Sequence, residues 1–259
     1  MFYFFISLTS FLTITNKGFP EKRLPKIILD NISLSKILKN DEGNVCEDND
    51  IPCVFNSNSS KKVILIGDSL AGSIAFDLKE KILKNNYKFI TVMRGGCLIF
   101  PGFDRFDISS NLMSSGCNSE YFEKVINFLN SQSNSIIIIV GRYPLYFNGK
   151  NFDNNEGGAE PGGGEYRFYK DGNFNSIQES FKKTIKELSN KNKIILVYPV
   201  PEVGWHVPRK LNSVLLFKSQ KEIDTYLIEK NYLTTSYEVF KTRNNLSFKV
   251  LDSIKNKNI

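Results

Sequence analysis

Four short runs of almost unbroken apolar residues recur along this 259-residue chain, at spacings that leave room for a helix between each pair. They are Val63-Ile64-Leu65-Ile66, Phe89-Ile90-Thr91-Val92-Met93, Ile136-Ile137-Ile138-Ile139-Val140 and the core of Lys193 to Val200. A strand that is apolar on both faces is buried on both faces, and that happens where helices cover both sides of a parallel sheet. Strands are therefore expected at 62–66, 88–94, 136–140 and 193–200, with helices near 70–84, 119–131, 175–190, 213–230 and 234–256. The alternation predicts an α/β chain, a three-layer α/β/α domain around a parallel sheet over 61–259.

In such a sheet, binding and catalytic groups gather beyond the carboxyl ends of the strands. The first strand ends in Gly67-Asp68-Ser69-Leu70 and passes directly into a helical pattern. A serine at that junction lies where free backbone N–H groups and the helix dipole favour negative charge, so Ser69 is the candidate nucleophile. The same residues also describe an inert strand-to-helix turn, because serine is a good helix cap. Gly95 and Gly96 follow the second strand and can turn an N–H towards an oxyanion; the bland reading is a turn entering the next loop. Arg142 follows the all-apolar third strand, where a cation can bind an anionic group or pair with Asp68 or Glu202. His206, the only histidine, is a possible base for Ser69. The loop Glu156 to Glu165 is glycine-rich but lacks the Gly-Lys-Ser/Thr ending of a phosphate loop, and reads as a flap or surface excursion.

The charge balance of 34 Lys+Arg against 27 Asp+Glu gives +7, but the lysines are dispersed and no segment interleaves them with aromatics. This is read as a solvated surface, with no nucleic-acid partner. Four cysteines fall as two local pairs in polar stretches, favouring disulfides 46–53 and 97–117 and an oxidising compartment; four reduced thiols are the alternative. With one histidine and no Cys-x-x-Cys, no metal or cofactor is expected. Residues 1–15 are uncharged and aromatic-rich but shorter than the ~20 residues of a membrane span. They read as part of a transmembrane helix or as an interfacial one, and 16–60 as a polar extracytoplasmic linker with a helix candidate around 32–38.

Gly67-Asp68-Ser69-Leu70, Gly95-Gly96-Cys97, Gly141-Arg142-Tyr143-Pro144-Leu145-Tyr146 and Tyr198-Pro199-Val200-Pro201-Glu202-Val203-Gly204-Trp205 resemble, in order, blocks of the SGNH hydrolases. More narrowly, the chain is similar to the SGNH module fused behind the membrane domain of bacterial family-three acyltransferases, which O-acylate cell-surface polysaccharides. The resemblance implies an SGNH/flavodoxin-like fold, Ser69 as nucleophile and an oxyanion hole using Gly95 or, by slight preference, Gly96. It implies an acyl donor delivered by the membrane domain, acetyl being the expected group, a glycan acceptor, and residence in the bacterial inner membrane with the main domain facing the periplasm. The family's third-block asparagine is missing, with Arg142 in that neighbourhood, and so is its C-terminal Asp-x-x-His. The absent asparagine puts donation at the third block in doubt, while the half-length membrane helix at one end and the absent base at the other read as a fragment, incomplete at its C-terminus and with little turnover alone; a non-catalytic glycan-binding domain and a free secreted esterase are the alternatives.

Overall fold

The computed structural model describes residues 11, 13–15, 37–48, 52–153, 165–205, 207, 213, 215, 218–229 and 234–259. It divides into two compact units, residues 37–204 with 235–259, and residues 1–36 with 205–234.

The larger unit is an α/β layer structure. Its main sheet holds β1 (Cys53–Phe55), β2 (Lys62–Gly67), β3 (Lys88–Met93), β6 (Ser135–Val140) and β8 (Lys193–Leu196), in the spatial order β1-β3-β2-β6-β8. Four strands are parallel and β1 joins the edge antiparallel to β3. The helices are α1 (Ser69–Lys84), α2 (Ser119–Asn130), the short α3 (Tyr143–Phe147), α4 (Ile177–Ser189) and α6 (Tyr237–Asp252). Side chains alternate across each strand, and here both alternating sets are apolar. Ile64, Ile66, Ile137 and Ile139 join one core with Phe122, Phe181, Ile185 and Leu251 of α2, α4 and α6. Val63, Leu65 and Phe89 face the other way, onto Ala71, Ala75 and Ile82 of α1. The expected three-layer arrangement is therefore observed.

The local chemistry accounts for the helix starts. Asp68, Asn118, Ser176 and Ser236 each cap a helix, their side-chain oxygens accepting from Leu70, Tyr121, Glu179 and Val239 N–H. The helix near 234–256 begins at Tyr237 and stops at Asp252. The strand expected over 193–200 ends at Leu196, since the turn with Pro199 and Pro201 lacks two backbone donors.

Two features were not evident from periodicity. The segment 37–60, expected to be a linker, packs into the domain: Leu38, Cys46, Cys53 and Phe55 are buried beside Phe89. Its polar composition conceals this because β1 is only three residues long and the other buried residues, Leu38 and Cys46, stand singly among polar neighbours. A second, antiparallel sheet forms from β4 (Phe103–Asp107), β5 (Leu112–Met113) and β7 (Tyr166–Lys170), in the order β5-β4-β7. Charged residues interrupt its strands, yet Phe103 is buried and Phe168 sets its ring against Phe100, centroids 5.2 Å apart.

Both cysteine pairs are bonded, Cys46 to Cys53 and Cys97 to Cys117. The first ties Cys46 to the start of β1; the second closes the connection between β3 and α2, which carries β4 and β5. Loop-closure entropy predicts a loss of roughly 2.5 kcal/mol on removing the shorter link and roughly 3.3 kcal/mol for the longer. Paired Cys→Ala replacements compared by denaturant unfolding test the order, and no loss for the 97–117 pair would contradict it.

The smaller unit contains α5 (Gln220–Glu229), shorter than the helix expected over 213–230. It opens on a reciprocal cap, in which Ser219 N–H and hydroxyl donate to Glu222 Oε2 at 2.8 and 2.6 Å. Leu215 and Ile223 are its buried apolar residues among those described. The N-terminal membrane reading falls largely outside the described residues. Residues 11 and 13–15 are helical, and no described helix is long and apolar enough to cross a membrane. The helix candidate 32–38 and the glycine-rich loop 156–165 also lie mostly outside.

Candidate active site

Strand register brings the motif residues to one rim. Gly67 at the end of β2 pairs with Met93 of β3 and Val140 of β6. Ser69, Gly95-Gly96 and Arg142, two or three residues beyond those partners, therefore leave the sheet side by side. Gly67 itself has φ +153° and lies so close to Val140 that a Cβ would overlap the Val140 carbonyl oxygen. No other residue lets the turn that carries Ser69 approach β6 this closely.

Asp68 organises the rim. Its side chain is buried, and Oδ1 accepts from Leu70 N–H at 2.9 Å. Oδ2 accepts from Arg142 N–H at 2.7 Å and from the Tyr146 hydroxyl at 2.8 Å. One carboxylate thus ties the start of α1 to the turn after β6 and to α3. Burial pushes the Asp68 carboxyl above its ordinary range, while these hydrogen bonds and the Arg142 charge pull the other way. Tyr146 is raised well above the usual phenol range, by burial first and then by the Asp68 charge, so it stays a donor through neutral pH.

A consequence can be measured. Asn at position 68 has one acceptor oxygen for two N–H donors, so one donor faces an amide N–H. Asp68→Asn is expected to cost about 1–3 kcal/mol in acid. Because the native carboxyl titrates above its unfolded value, its contribution is complete below the ordinary carboxylate range and is lost as pH rises through the native value. The wild-type advantage over Asp68→Asn should therefore shrink with rising pH in chemical denaturation, and an advantage that grows would contradict the assignment.

Ser69 stands at the first position of α1, exposed to solvent, its hydroxyl making no hydrogen bond with a described residue. Its backbone N–H precedes the helical ladder, where donors have no intrahelical acceptor. Of the neighbouring glycines, Gly95 donates its N–H to Asp48 Oδ1 at 2.7 Å. Gly96, with φ +63°, makes no such N–H contact among the described residues, and its carbonyl is held by Arg105. The pair available for a developing oxyanion is thus Ser69 N–H and Gly96 N–H. Glu47 reaches over the first turn of α1: a Cβ on Gly72 would lie 2.6 Å from its Oε2, and one on Gly95 3.4 Å from its Oε1. Its carboxyl is raised by burial, then by the charges of Asp48 and Asp68, so the rim carries three neighbouring acids.

Arg142 is engaged from two sides. Its backbone N–H serves Asp68, and its Nε donates to Glu202 Oε1. The other Glu202 oxygen accepts from Arg243 Nε of α6 at 2.9 Å. Glu202 and Arg243 side chains are only 10% and 7% exposed. The turn after β8 is thereby clamped between the third-strand turn and the last helix, and Thr235 adds a hydroxyl bond to the Glu202 carbonyl at 2.8 Å. The structure brings Ser69, Gly96 and Arg142 to one rim and commits the Arg142 Nε to an ion pair. His206 lies outside the described residues.

Sequence reasoning missed the hub role of Asp68 and the whole contribution of Arg243. An acidic residue before a helical pattern is a visible capping signal; nothing local to Arg243 marks it. Among the described residues no group of His, Cys, Asp and Glu is arranged to hold a metal ion.

Comparison with known proteins adds one match. Residues 38–259 match the family model described as "SGNH domain (fused to AT3 domains)". Neither the curated proteins nor the solved structures yielded a match. The matched span begins within the segment packed beneath β1 and takes in the whole rim.

Proposed function

Since the chain belongs to the family of SGNH domains fused to AT3 domains, we propose that Ser69 is the acyl-accepting nucleophile of an O-acyltransferase acting on a cell-surface glycan. The domain is acyltransferase-associated by family. In this reading the acyl group is acetyl, the acceptor is a glycan, and the domain stands outside the cytoplasm, in the periplasm. The two disulfides support that position, since such bonds persist in oxidising compartments.

The observation that carries the reading is an exposed Ser69 hydroxyl at a helix start, which with the N–H groups of Ser69 and Gly96 has no hydrogen-bond partner among the described residues. Ser69 Oγ attacks the acyl carbonyl carbon; the C–O bond to the donor breaks, and the Ser69 proton leaves with the donor oxygen. Ser69 N–H and Gly96 N–H hold the oxyanion of the tetrahedral intermediate. A glycan hydroxyl then attacks the acyl-enzyme, its oxygen takes the acyl group and its proton returns to Ser69 Oγ. Asp68, Tyr146, Arg142 and Glu202 position the rim and do not touch the acyl group. Proton transfer needs a base; the sequence holds His206 and no Asp-x-x-His.

A fluorophosphonate probe followed by peptide mapping tests the assignment. Label on the Ser69 peptide supports it. Label elsewhere, or none from a folded protein that still binds glycan, would favour a binding domain without catalysis.

A further inference from the structure

The opposite end of the main sheet holds a second feature that the acyl-transfer chemistry does not use. A cleft of about 490 Å³ opens where β2, β6 and β8 begin. Lys61, Lys62, Lys191 and Lys193 line it, and no Asp or Glu does. Four cations around one concavity, without a carboxylate among its walls, set up a local positive potential that the dispersed lysines of the sequence do not reveal.

The cleft is built on a fixed frame. Buried Asn192 accepts from Ser135 N–H at 3.1 Å and donates to the carbonyls of Gln132 and Leu188, each at 3.2 Å. Asn134 N–H donates to the Lys191 carbonyl, and Asn258 Nδ2 to the Ser189 carbonyl at 2.7 Å. Lys62 Nζ is held by Gln132 Oε1 at 3.0 Å, and Lys61 stands over the Tyr87 ring. Lys61, Lys191 and Lys193 remain exposed.

We infer that this cleft binds an anionic glycan, a sugar polymer bearing closely spaced carboxylate or phosphate oxygens, and anchors it away from Ser69. Lysine ammonium groups supply the charge contacts. The side-chain amides of Asn134 and Asn190, both exposed on the cleft wall, can donate to and accept from sugar hydroxyls. The concave shape suits a chain lying within it better than a flat membrane surface. The six residues of β2 separate this end from the Ser69 rim by roughly 20 Å, so the occupant is a polymer that spans the domain. This inference rests on the acyl-transfer reading in naming the acceptor's class, and its binding test does not depend on Ser69 chemistry.

The test measures binding of fluorescent oligogalacturonate, neutral dextran of equal length and phosphatidylglycerol vesicles. The protein is compared with Lys61→Glu/Lys191→Glu and with Lys183→Glu/Lys241→Glu, a matched charge reversal of exposed lysines elsewhere. Expected are binding of oligogalacturonate and not of dextran, weakening as salt rises, about a tenfold loss in the cleft variant, and little change in the control. Ser69→Ala should bind normally, so a failed nucleophile assignment leaves this result standing. Equal losses in both variants, no loss in either, equal binding of dextran, or retention by vesicles but not by oligogalacturonate would overturn it.

Discussion

Ser69→Ala is expected to abolish covalent acylation while leaving stability unchanged within about 0.5 kcal/mol. The hydroxyl is exposed and makes no hydrogen bond to a described residue, so its loss breaks no hydrogen bond among them. Alanine is well tolerated in the first turn of a helix. Chemically, nothing on the rim replaces it: Asp68 is buried and saturated with donors, and Arg142 is held by Glu202. Removing a serine nucleophile costs on the order of 10³-fold or more in turnover. With p-nitrophenyl acetate as donor, mass spectrometry should find an acetyl group on the Ser69 peptide of the wild type and none in the variant, with superimposable thermal unfolding. An adduct that survives Ser69→Ala on another rim residue would move the nucleophile elsewhere.

Glu202→Ala should do the reverse, damaging the fold before the chemistry. Its carboxylate receives Arg142 and Arg243 together, and Arg243 is almost fully buried, with its ring neighbour Phe152 5.5 Å away. Deleting the acid leaves a cation desolvated without its counter-ion, a loss of roughly 3–5 kcal/mol. The same change frees the turn after β8 from α6 and from the Arg142 turn, so acylation at Ser69 should also slow. Glu202→Gln keeps the size and one acceptor oxygen, and should fall between wild type and alanine. Urea unfolding reads the stability change as a fall in midpoint without a change in slope. A midpoint for Glu202→Ala equal to that of the wild type would show that the paired arginines are solvated well enough to stand alone.

These two positions mark the boundary between what is readable along the chain and what is not. Ser69 lies in a local pattern: apolar strand, glycine turn, helix start. Each part is set by residues a few positions apart, and the parallel sheet makes the placement general, because every strand that enters from the same side delivers its following turn to the same rim. Gly96 and Arg142 were reached by that rule. For Arg142 the sequence offered an anion site or a pairing with Asp68 or Glu202, and only the structure chose the Glu202 pair and added Arg243, 41 residues beyond that acid. Among the glycines, only the structure separates Gly95, whose N–H is taken by Asp48, from Gly96.

The same division holds for the fold. Unbroken apolar runs at helix-length spacing determined the four parallel strands, the covering helices and the rim on which Ser69 stands, since burial on both faces leaves no other use for such segments. The cysteine pairs, close in sequence, were likewise decided locally. Three things needed the tertiary structure: the edge strand β1 with the polar segment behind it, the second sheet, and the basic cleft. In the first two the strands are short and their few buried apolar residues stand among polar and charged ones, so composition averages the signal away. In the third, lysines from separate turns meet only because β2 and β8 start at the same end of one parallel sheet. Sequence order carries the chemistry of each residue, and chain packing determines which of those residues share a carboxylate or a cleft.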